Sequence, residues 1–346
     1  MVKLEKIIIV AFLSCFTLKS NAQSRYNIIY EQQFGMSFAA ENFASGFHMF
    51  DYVDTLVITK NIVKKDNIAA KVVNPVFRLG KLFFVNYLLT DLVLTMNHER
   101  FGHGFRILDA EGVITNIEYN LPPPFTDNEF SWISSQQNAN HTVQQTLGVK
   151  FGGSESNIVL SDLFRKNALL DERFYYNYSF PYLYSSNDMP GYTAFVTSPV
   201  GDPVRYRNII NDFYEGNDLT HSKMKAYSLL AMLTDPLNFY ALKSVFYDYL
   251  IKGRHSSKIS MIKFSNRLKY LPRFRFEYTP YGPELVMQNY VKLDEKLFQL
   301  SFSHSDGTFE PSWRIAGEAW NIKASEKISF NFKAQVWNQP EINYFV

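Results

Sequence analysis

Cysteine is almost absent from this chain, which has 346 residues and a single cysteine, Cys15. That residue lies in an N-terminal apolar run, Ile7–Leu18, which follows two lysines and precedes small residues at Ser20 and Ala22. This order is typical of a cleavable secretory signal, and the run is short for a membrane span. We therefore expect a signal peptide at residues 1–22 and export to the periplasm or outer membrane of a Gram-negative bacterium.

Two alternatives to cleavage after Ala22 stay open at this point. The segment would be an uncleaved anchor, or lipid would attach to Cys15, although Phe12, Leu13 and Ser14 make a poor lipoprotein processing box. If the signal is removed, the mature chain contains neither a disulfide nor a thiolate. Any metal ligands must then be His, Asp or Glu side chains.

Excess charge of one sign is also scarce. The formal net charge is +2, which equals the balance of three lysines and one glutamate within the predicted signal region. The mature chain is therefore close to neutral, and nothing in its charge steers it toward nucleic acid.

The chain divides near residue 255 into two regions of different periodicity, which predicts an α+β fold. Residues 23–254 carry mainly helical spacing, strongest in Lys81–Asn97, where length and Asp91 favour a buried core helix over a membrane span. One strand is expected at Val113–Leu121, ended by three prolines, and it would be either a core strand or an edge strand that pairs with a peptide. Helical spacing resumes at Ser154–Leu169 and, after a Tyr-rich loop, at 204–252.

From residue 255 to 346 apolar and polar residues alternate in runs of about ten, which predicts an antiparallel β meander or partial barrel of five or six strands. The 31 Phe and 22 Tyr of the chain suit membrane-interface girdles, but codon bias would give the same surplus. The strands would therefore either contact outer-membrane lipid or form a soluble sheet packed on the helical domain. The second is slightly favoured, because six strands are too few to close a spanning barrel.

The motif that carries chemistry is Asn97-His98-Glu99-Arg100-Phe101-Gly102-His103. On a regular helix, residues five apart point in directions about 140° apart, so His98 and His103 would not reach one ion. A π-bulge would restore a shared face, and such bulges favour functional sites. Gly102 is the residue type that tolerates the distortion, so the sequence predicts a π-bulge and a Zn2+ site there.

The segment His98–His103 resembles the HExxGH signature of the dipeptidyl peptidase III family of zinc peptidases. The resemblance implies that His98 and His103 bind zinc, that Glu99 activates water, and that a later Glu completes a gluzincin-type site. The resemblance covers these six residues only. The rest of the chain does not resemble that family, because it is much shorter than the family's members and the family's second motif is not present as such. A shared site geometry is therefore expected, rather than a shared fold.

Glu155 is the third ligand that the gluzincin resemblance favours. It lies 52 residues after His103, behind Gly152 and Gly153, at the expected start of a helix, where it would otherwise complement the helix dipole. For His221 three roles stay open. It would compete with Glu155 as the third ligand, donate a hydrogen bond to the reacting oxyanion, or be a surface histidine near a helix start.

These residues predict an exported zinc metallopeptidase that acts on a peptide or protein substrate, with Glu99 as general base and then proton donor to the leaving amine. Another amide or an ester is the alternative substrate. The rival prediction is a non-enzymatic envelope protein without metal, whose C-terminal strands associate with the outer membrane and whose helical part is a plug or binding module.

Overall fold

The computed structural model describes residues 28–30, 35–57, 68–119, 131–136, 138, 140–214, 218–305, 312–325 and 328–338. The predicted signal peptide, with Cys15, lies outside the described residues, as do Leu121 and the three prolines that follow it. The α+β prediction is confirmed, because a mainly helical region precedes a C-terminal antiparallel sheet.

Seven helical units make up most of the described chain before residue 252. The second unit, α2, is one continuous helix in which two π-helical turns interrupt the α-helical path. The units are α1 (Met36–Val57), α2 (Ile68–Lys81, π Leu82–Tyr87, Leu88–Met96, π Asn97–His103, Gly104–Asp109), α3 (Val143–Asp171), α4 (Tyr176–Phe195), α5 (Asp202–Phe213), α6 (His221–Thr234) and α7 (Pro236–Leu242 and π Lys243–Ile251).

The strands form two small ladders and one six-stranded meander. The larger sheet has the order β10-β9-β8-β7-β6-β5, with every neighbouring pair antiparallel. The ladders pair β1 (Val113–Glu118) with β2 (Trp132–Gln136) and β3 (Arg173–Tyr175) with β4 (Ser256–Lys258); the meander contains β5 (Ile262–Lys263), β6 (Leu268–Thr279), β7 (Gly282–Leu293), β8 (Lys296–Ser305), β9 (Ser312–Lys323) and β10 (Ser329–Asn338).

One hydrophobic core joins the helices to the sheet. Leu160 and Phe164 of α3 belong to the same buried cluster as Tyr290 of β7 and Trp320 of β9. Strand alternation explains this packing, because about every second side chain of β6 to β9 is buried against the helices, whereas β10 is exposed along its whole length. The sheet thus packs on the helical region with one face, while its other face leaves Phe302 and Ile315 more than 40% exposed.

Two expectations for the helical region were wrong. The Tyr-rich segment expected as a loop contains α4, which includes Pro181 and Pro190 and whose apolar residues follow no clear helical stripe. The helix expected from Ser154 begins eleven residues earlier at Val143, where Thr142 and Gln145 form a capping box. Glu155 therefore lies inside a long helix, away from its N-terminal dipole.

The expectation of a buried core helix at Lys81–Asn97 was only partly right, because Leu94 is 1% exposed and belongs to the core but the start of the stretch is exposed. The stretch is helical, but Phe83 and Phe84 are 57% and 77% exposed. By length and hydropathy, Ala70–Asp109 is the single helix among the described residues that could cross a membrane, and only 28% of its most apolar window is buried. The helix that carries the histidine motif is therefore also the most exposed apolar helix of the described chain.

Candidate metal centre

The predicted π-bulge is confirmed at Asn97–His103, and it brings His98 and His103 together. The backbone N–H of Gly104 donates to the carbonyl of Glu99, a bond that spans five residues. This winding places residues five apart on one face. The two Nε2 atoms stand 3.2 Å apart.

A close approach of α3 supports this turn from the other side. A Cβ atom on Gly102 would lie less than 3.0 Å from backbone atoms of Gly152 and Gly153. A Cβ atom on Gly153 would lie less than 3.0 Å from the Nε2 atoms of both histidines. Glycine at 153 therefore keeps open the space that the two imidazoles face.

Each imidazole is oriented by an acceptor at its other nitrogen. His103 Nδ1 lies 2.6 Å from the carbonyl oxygen of Val149, and His98 Nδ1 lies 3.4 Å from Asp188 Oδ2. Because a carbonyl oxygen only accepts, Nδ1 of His103 carries the proton and its Nε2 presents a lone pair. Such an acceptor behind each ring is the usual outer contact of histidines that bind a metal.

Two Nε2 lone pairs that face each other at 3.2 Å repel, unless a proton or a cation lies between them. Three carboxylates surround the pair. Asp202 Oδ2 lies 3.5 Å from His103 Nε2, and Asp188 contacts His98. Glu99 is buried, and its charge helps to raise the pKa of His98. The cluster therefore attracts a cation.

Burial alone would raise the pKa of both aspartate carboxyls, but their histidine partners outweigh it. The hydrogen bond and charge of His103, with His98 nearby, hold the pKa of Asp202 below its usual range. Hydrogen bonds with His98, Ser154 and Asn157 do the same for the pKa of Asp188. Both groups are therefore anionic at neutral pH, as a cation site requires.

Two of the three distances between the ligand atoms fit a tetrahedral ion. Ligand atoms about 2.0 to 2.2 Å from one tetrahedral ion stand about 3.3 to 3.6 Å apart. The pairs His98–His103 and His103–Asp202 are separated by 3.2 and 3.5 Å, and all three ligand atoms lie within 4.8 Å of one another. His98, His103 and Asp202 thus have the residue types and spacing of a three-ligand site with a fourth position available.

The structure does not bring Glu155 to this cluster, contrary to the expectation for the third ligand. Its carboxylate accepts two hydrogen bonds from Arg106, at 2.8 and 2.5 Å. The reason is helical geometry: Gly153 faces the histidines, and a residue two positions later points about 200° away. His221, the other expected ligand, begins α6 behind the Thr220 cap and is not among the three groups that converge.

Asp202 and Asp188 were missed by the sequence prediction. Asp202 begins α5, directly after Gly201 and before Pro203, so its only local signal is that of a helix start. Asp188 lies on α4, the helix that was expected as a loop. Asp91, on the helix of the motif, is engaged elsewhere, since its Oδ1 accepts a hydrogen bond from the Tyr184 hydroxyl at 3.1 Å.

Two further features border the cluster. The Tyr192 hydroxyl accepts a hydrogen bond from the Asp202 backbone N–H at 3.2 Å, and Tyr192 is 36% exposed. Strand β1 pairs with β2 along one edge, and among the described residues its other edge has no strand partner. Ile114 of β1 lies 3.2 Å from where a Cβ atom on Gly104 would stand, directly beside the motif helix.

Comparison with known proteins identifies no relative of this chain. No protein-family model, no curated protein and no solved structure matches the chain. The conclusion about the site therefore rests on its residues: a π-helical turn presents two histidines and a third element supplies a carboxylate.

Proposed function

We propose that this protein is an exported zinc-dependent hydrolase, most simply a metallopeptidase, whose ligands are His98, His103 and Asp202. The convergence of the two Nε2 atoms and the Asp202 carboxylate on one small space carries the proposal. The donor set of two imidazoles and one carboxylate is that of catalytic zinc sites with an open fourth position. Asp202 replaces Glu155 in the ligand set that the sequence favoured.

A zinc ion bound there would supply Lewis-acid activation of water and of the substrate carbonyl. Glu99 follows the first histidine directly and is 6% exposed, which suits a general base shielded from bulk water. It accepts the proton of the attacking water and passes it to the leaving amine. Asp188 and the Val149 carbonyl keep the Nδ1 protons of the histidines in place, so that each Nε2 remains a ligand.

Tyr192 is the residue best placed to assist the substrate carbonyl. Its hydroxyl already accepts the Asp202 N–H, so its own proton is available to donate to the developing oxyanion. Tyr192 would thus act as the hydrogen-bond donor to the oxyanion, a role that the sequence analysis considered for His221. The free edge of β1 would hold an extended peptide beside the motif helix by main-chain hydrogen bonds.

The experiment for the reaction separates metal binding from catalysis. The purified chain is incubated with a peptide library, and new termini are identified by mass spectrometry. We expect Glu99→Gln to keep its zinc and to lose cleavage, because the substitution removes the base but no ligand. Tyr192→Phe should also keep zinc and lower kcat by about 100-fold, the usual cost of one oxyanion donor.

The rival is a non-enzymatic envelope protein in which a shared proton bridges the two histidines. It predicts that the parent chain contains no metal and that Glu99→Gln changes nothing measurable in the peptide assay. Cleavage that persists unchanged in Glu99→Gln would also contradict the proposal.

A further inference from the structure

The first half of α2 has its polarity reversed relative to a helix of a water-soluble protein. Between residues 72 and 85 every exposed side chain is apolar, whereas Lys81 and, one position after this range, Asn86 are 6% and 3% exposed. The exposed set is Val72, Val73, Val76, Phe77, Leu79, Phe83, Phe84 and Val85. A soluble surface helix places its charged and polar residues outward and its apolar face inward.

Helix α7 repeats this reversal. Its buried positions include Asn238, Ser244 and Asp248, which are 7%, 1% and 1% exposed. Its exposed large side chains are Phe239, Leu242, Phe246, Tyr247 and Ile251, between 42% and 59% exposed. The one exposed charge of this helix, Lys243, donates to Asp248 and Ser257.

The two helices lie side by side, so their apolar faces form one surface, here named the apolar belt (the exposed residues of 72–85 and 239–251). Arg78 of α2 donates from Nε to the carbonyl of Leu250 at 2.9 Å. Lys81, buried beneath the belt, donates to Asp54 Oδ2 at 2.7 Å. The charged groups within both segments are thus paired on the inner side, as a helix facing hydrocarbon requires.

Basic residues along one half of the apolar belt, the half that begins at Val72, indicate what covers it. Lys71, Lys252 and Arg254 are exposed, and Gly253 lies against the Arg78 guanidinium, which places 252–254 at the level of Arg78. Lys71 lies about 10 Å from Arg78 along the helix axis. A basic rim beside an uncharged aromatic and aliphatic face is complementary to anionic headgroups beside acyl chains.

We propose that the apolar belt rests in the hydrocarbon of a lipid bilayer, with its basic rim at anionic headgroups. This contact is made by the helical region and is separate from the predicted association of the C-terminal strands. Thirteen exposed large apolar side chains on two adjacent helices form the kind of contiguous patch that marks an interaction surface.

The test uses the chain's single cysteine. Cys15→Ser gives a cysteine-free background, into which Phe84→Cys, Phe246→Cys or, as control, Asn208→Cys is introduced. Asn208 is an exposed polar residue of α5. Each introduced cysteine carries an environment-sensitive fluorophore, and the chain is reconstituted with vesicles of phosphatidylethanolamine and phosphatidylglycerol that contain acyl-chain nitroxides.

We expect several-fold stronger quenching at positions 84 and 246 than at 208. A second measurement uses Phe83→Glu with Phe84→Glu, which should weaken vesicle flotation by about 100-fold per charge placed in hydrocarbon. Asn208→Glu should leave flotation unchanged, and circular dichroism checks that each variant is folded. Equal quenching at all three positions would overturn the proposal. A disulfide that joins two copies of the unlabelled Phe84→Cys variant, without quenching of the labelled one, would also overturn it and assign the belt to a second chain.

Discussion

Two clusters of charged side chains in the helical region differ in how their aspartates are neutralised. The histidine cluster is composed of His98, His103, Asp188 and Asp202, and the lysine cluster is composed of Asp51, Asp54, Lys81, Asn177 and His255. In the lysine cluster the cation is part of the chain, because Lys81 Nζ lies 2.7 Å from Asp54. In the histidine cluster the two Nε2 atoms face each other and Asp202 lies beside them, so a cation between them would come from outside the chain.

The comparison teaches what distinguishes a structural cluster from a binding site. His255 Nε2 lies 2.9 Å from Asp51 and 3.1 Å from the Thr55 hydroxyl, so the ring is engaged on the side that faces its neighbours. His98 and His103 use their Nδ1 atoms for such contacts and direct Nε2 into a shared space. A histidine cluster therefore indicates a metal when its second nitrogens converge, rather than when it is merely buried.

The largest effect is expected from a substitution that breaks the lysine cluster. Lys81→Met leaves Asp54 without its buried cation, which should lower the free energy of unfolding by about 3 to 5 kcal/mol. Zinc content per folded molecule should not change. Urea unfolding gives the first quantity, and Lys71→Met, which removes an exposed lysine of the same helix, is the matched control. A loss below about 1 kcal/mol would make this pair no stronger than a surface salt bridge.

The next largest effect is expected from a substitution that fills the proposed metal site without removing a ligand. Gly153→Ala places a methyl group less than 3.0 Å from both Nε2 atoms, so we expect zinc binding to be lost. Gly191→Ala is the matched control, because its Cβ would meet nothing within 4 Å inside α4. It should retain zinc and gain about 0.8 to 1.0 kcal/mol of helix stability. Full zinc occupancy in Gly153→Ala would show that the metal lies elsewhere.

A smaller effect concerns the orientation of His98. Asp188→Asn keeps the shape of the side chain but removes the charge behind the imidazole, and zinc affinity should fall by about 10- to 100-fold. Asp109→Asn changes a carboxylate on the motif helix that pairs with Arg106 instead, and it should leave zinc affinity unchanged. Competition with a fluorescent chelator measures both. Equal affinities in the two variants would remove Asp188 from the site.

A pH series compares protonation with zinc binding at the histidines. Burial alone would lower the pKa of His98, but the hydrogen bond and charge of Asp188 outweigh it and raise that pKa to about 9. Because zinc binds only neutral imidazole, zinc affinity should fall by about tenfold for each pH unit below that value. Asp202 stays ionised through this window, because its pKa is held below the usual range. Zinc affinity that is constant from about pH 8 to 5 would argue against histidine ligands.

The aspartates give the metal-free chain a separate dependence on pH. The pKa values of Asp188 and Asp202 are held below their usual range in the folded chain. Carboxylates of this kind stabilise the fold above their unfolded pKa, and that stability is lost as the pH falls through their folded pKa. We therefore expect urea unfolding of the metal-free chain to show this loss only in acid, below about pH 4.

Local sequence predicted the local half of the site. The five-residue spacing of His98 and His103 requires a π turn, and Gly102 permits close contact with α3, so both features follow from one short segment. The strands of the meander were also predictable, because alternation shows that the two faces of a sheet differ. It did not report which face lies inside, since Gln288 and Lys292 are buried whereas Leu300 and Phe302 are exposed.

The remaining half depends on packing between elements distant in sequence. Asp202 reaches the histidines only because α5 packs against α3, and nothing near residue 202 encodes that contact. Helix α4 escaped prediction because two prolines and several tyrosines obscure its periodicity. The exposure of Phe83 and Phe84 was likewise hidden, since an apolar run predicts burial whether the surroundings are protein or lipid.

The most direct test of the central claim is the zinc content of three purified chains after equilibrium dialysis against trace zinc: the parent, Asp202→Asn and Glu155→Gln. The account predicts near-stoichiometric zinc in the parent and in Glu155→Gln, and its loss in Asp202→Asn. A parent chain without zinc, or a Glu155→Gln variant that loses the metal while Asp202→Asn retains it, would contradict the account.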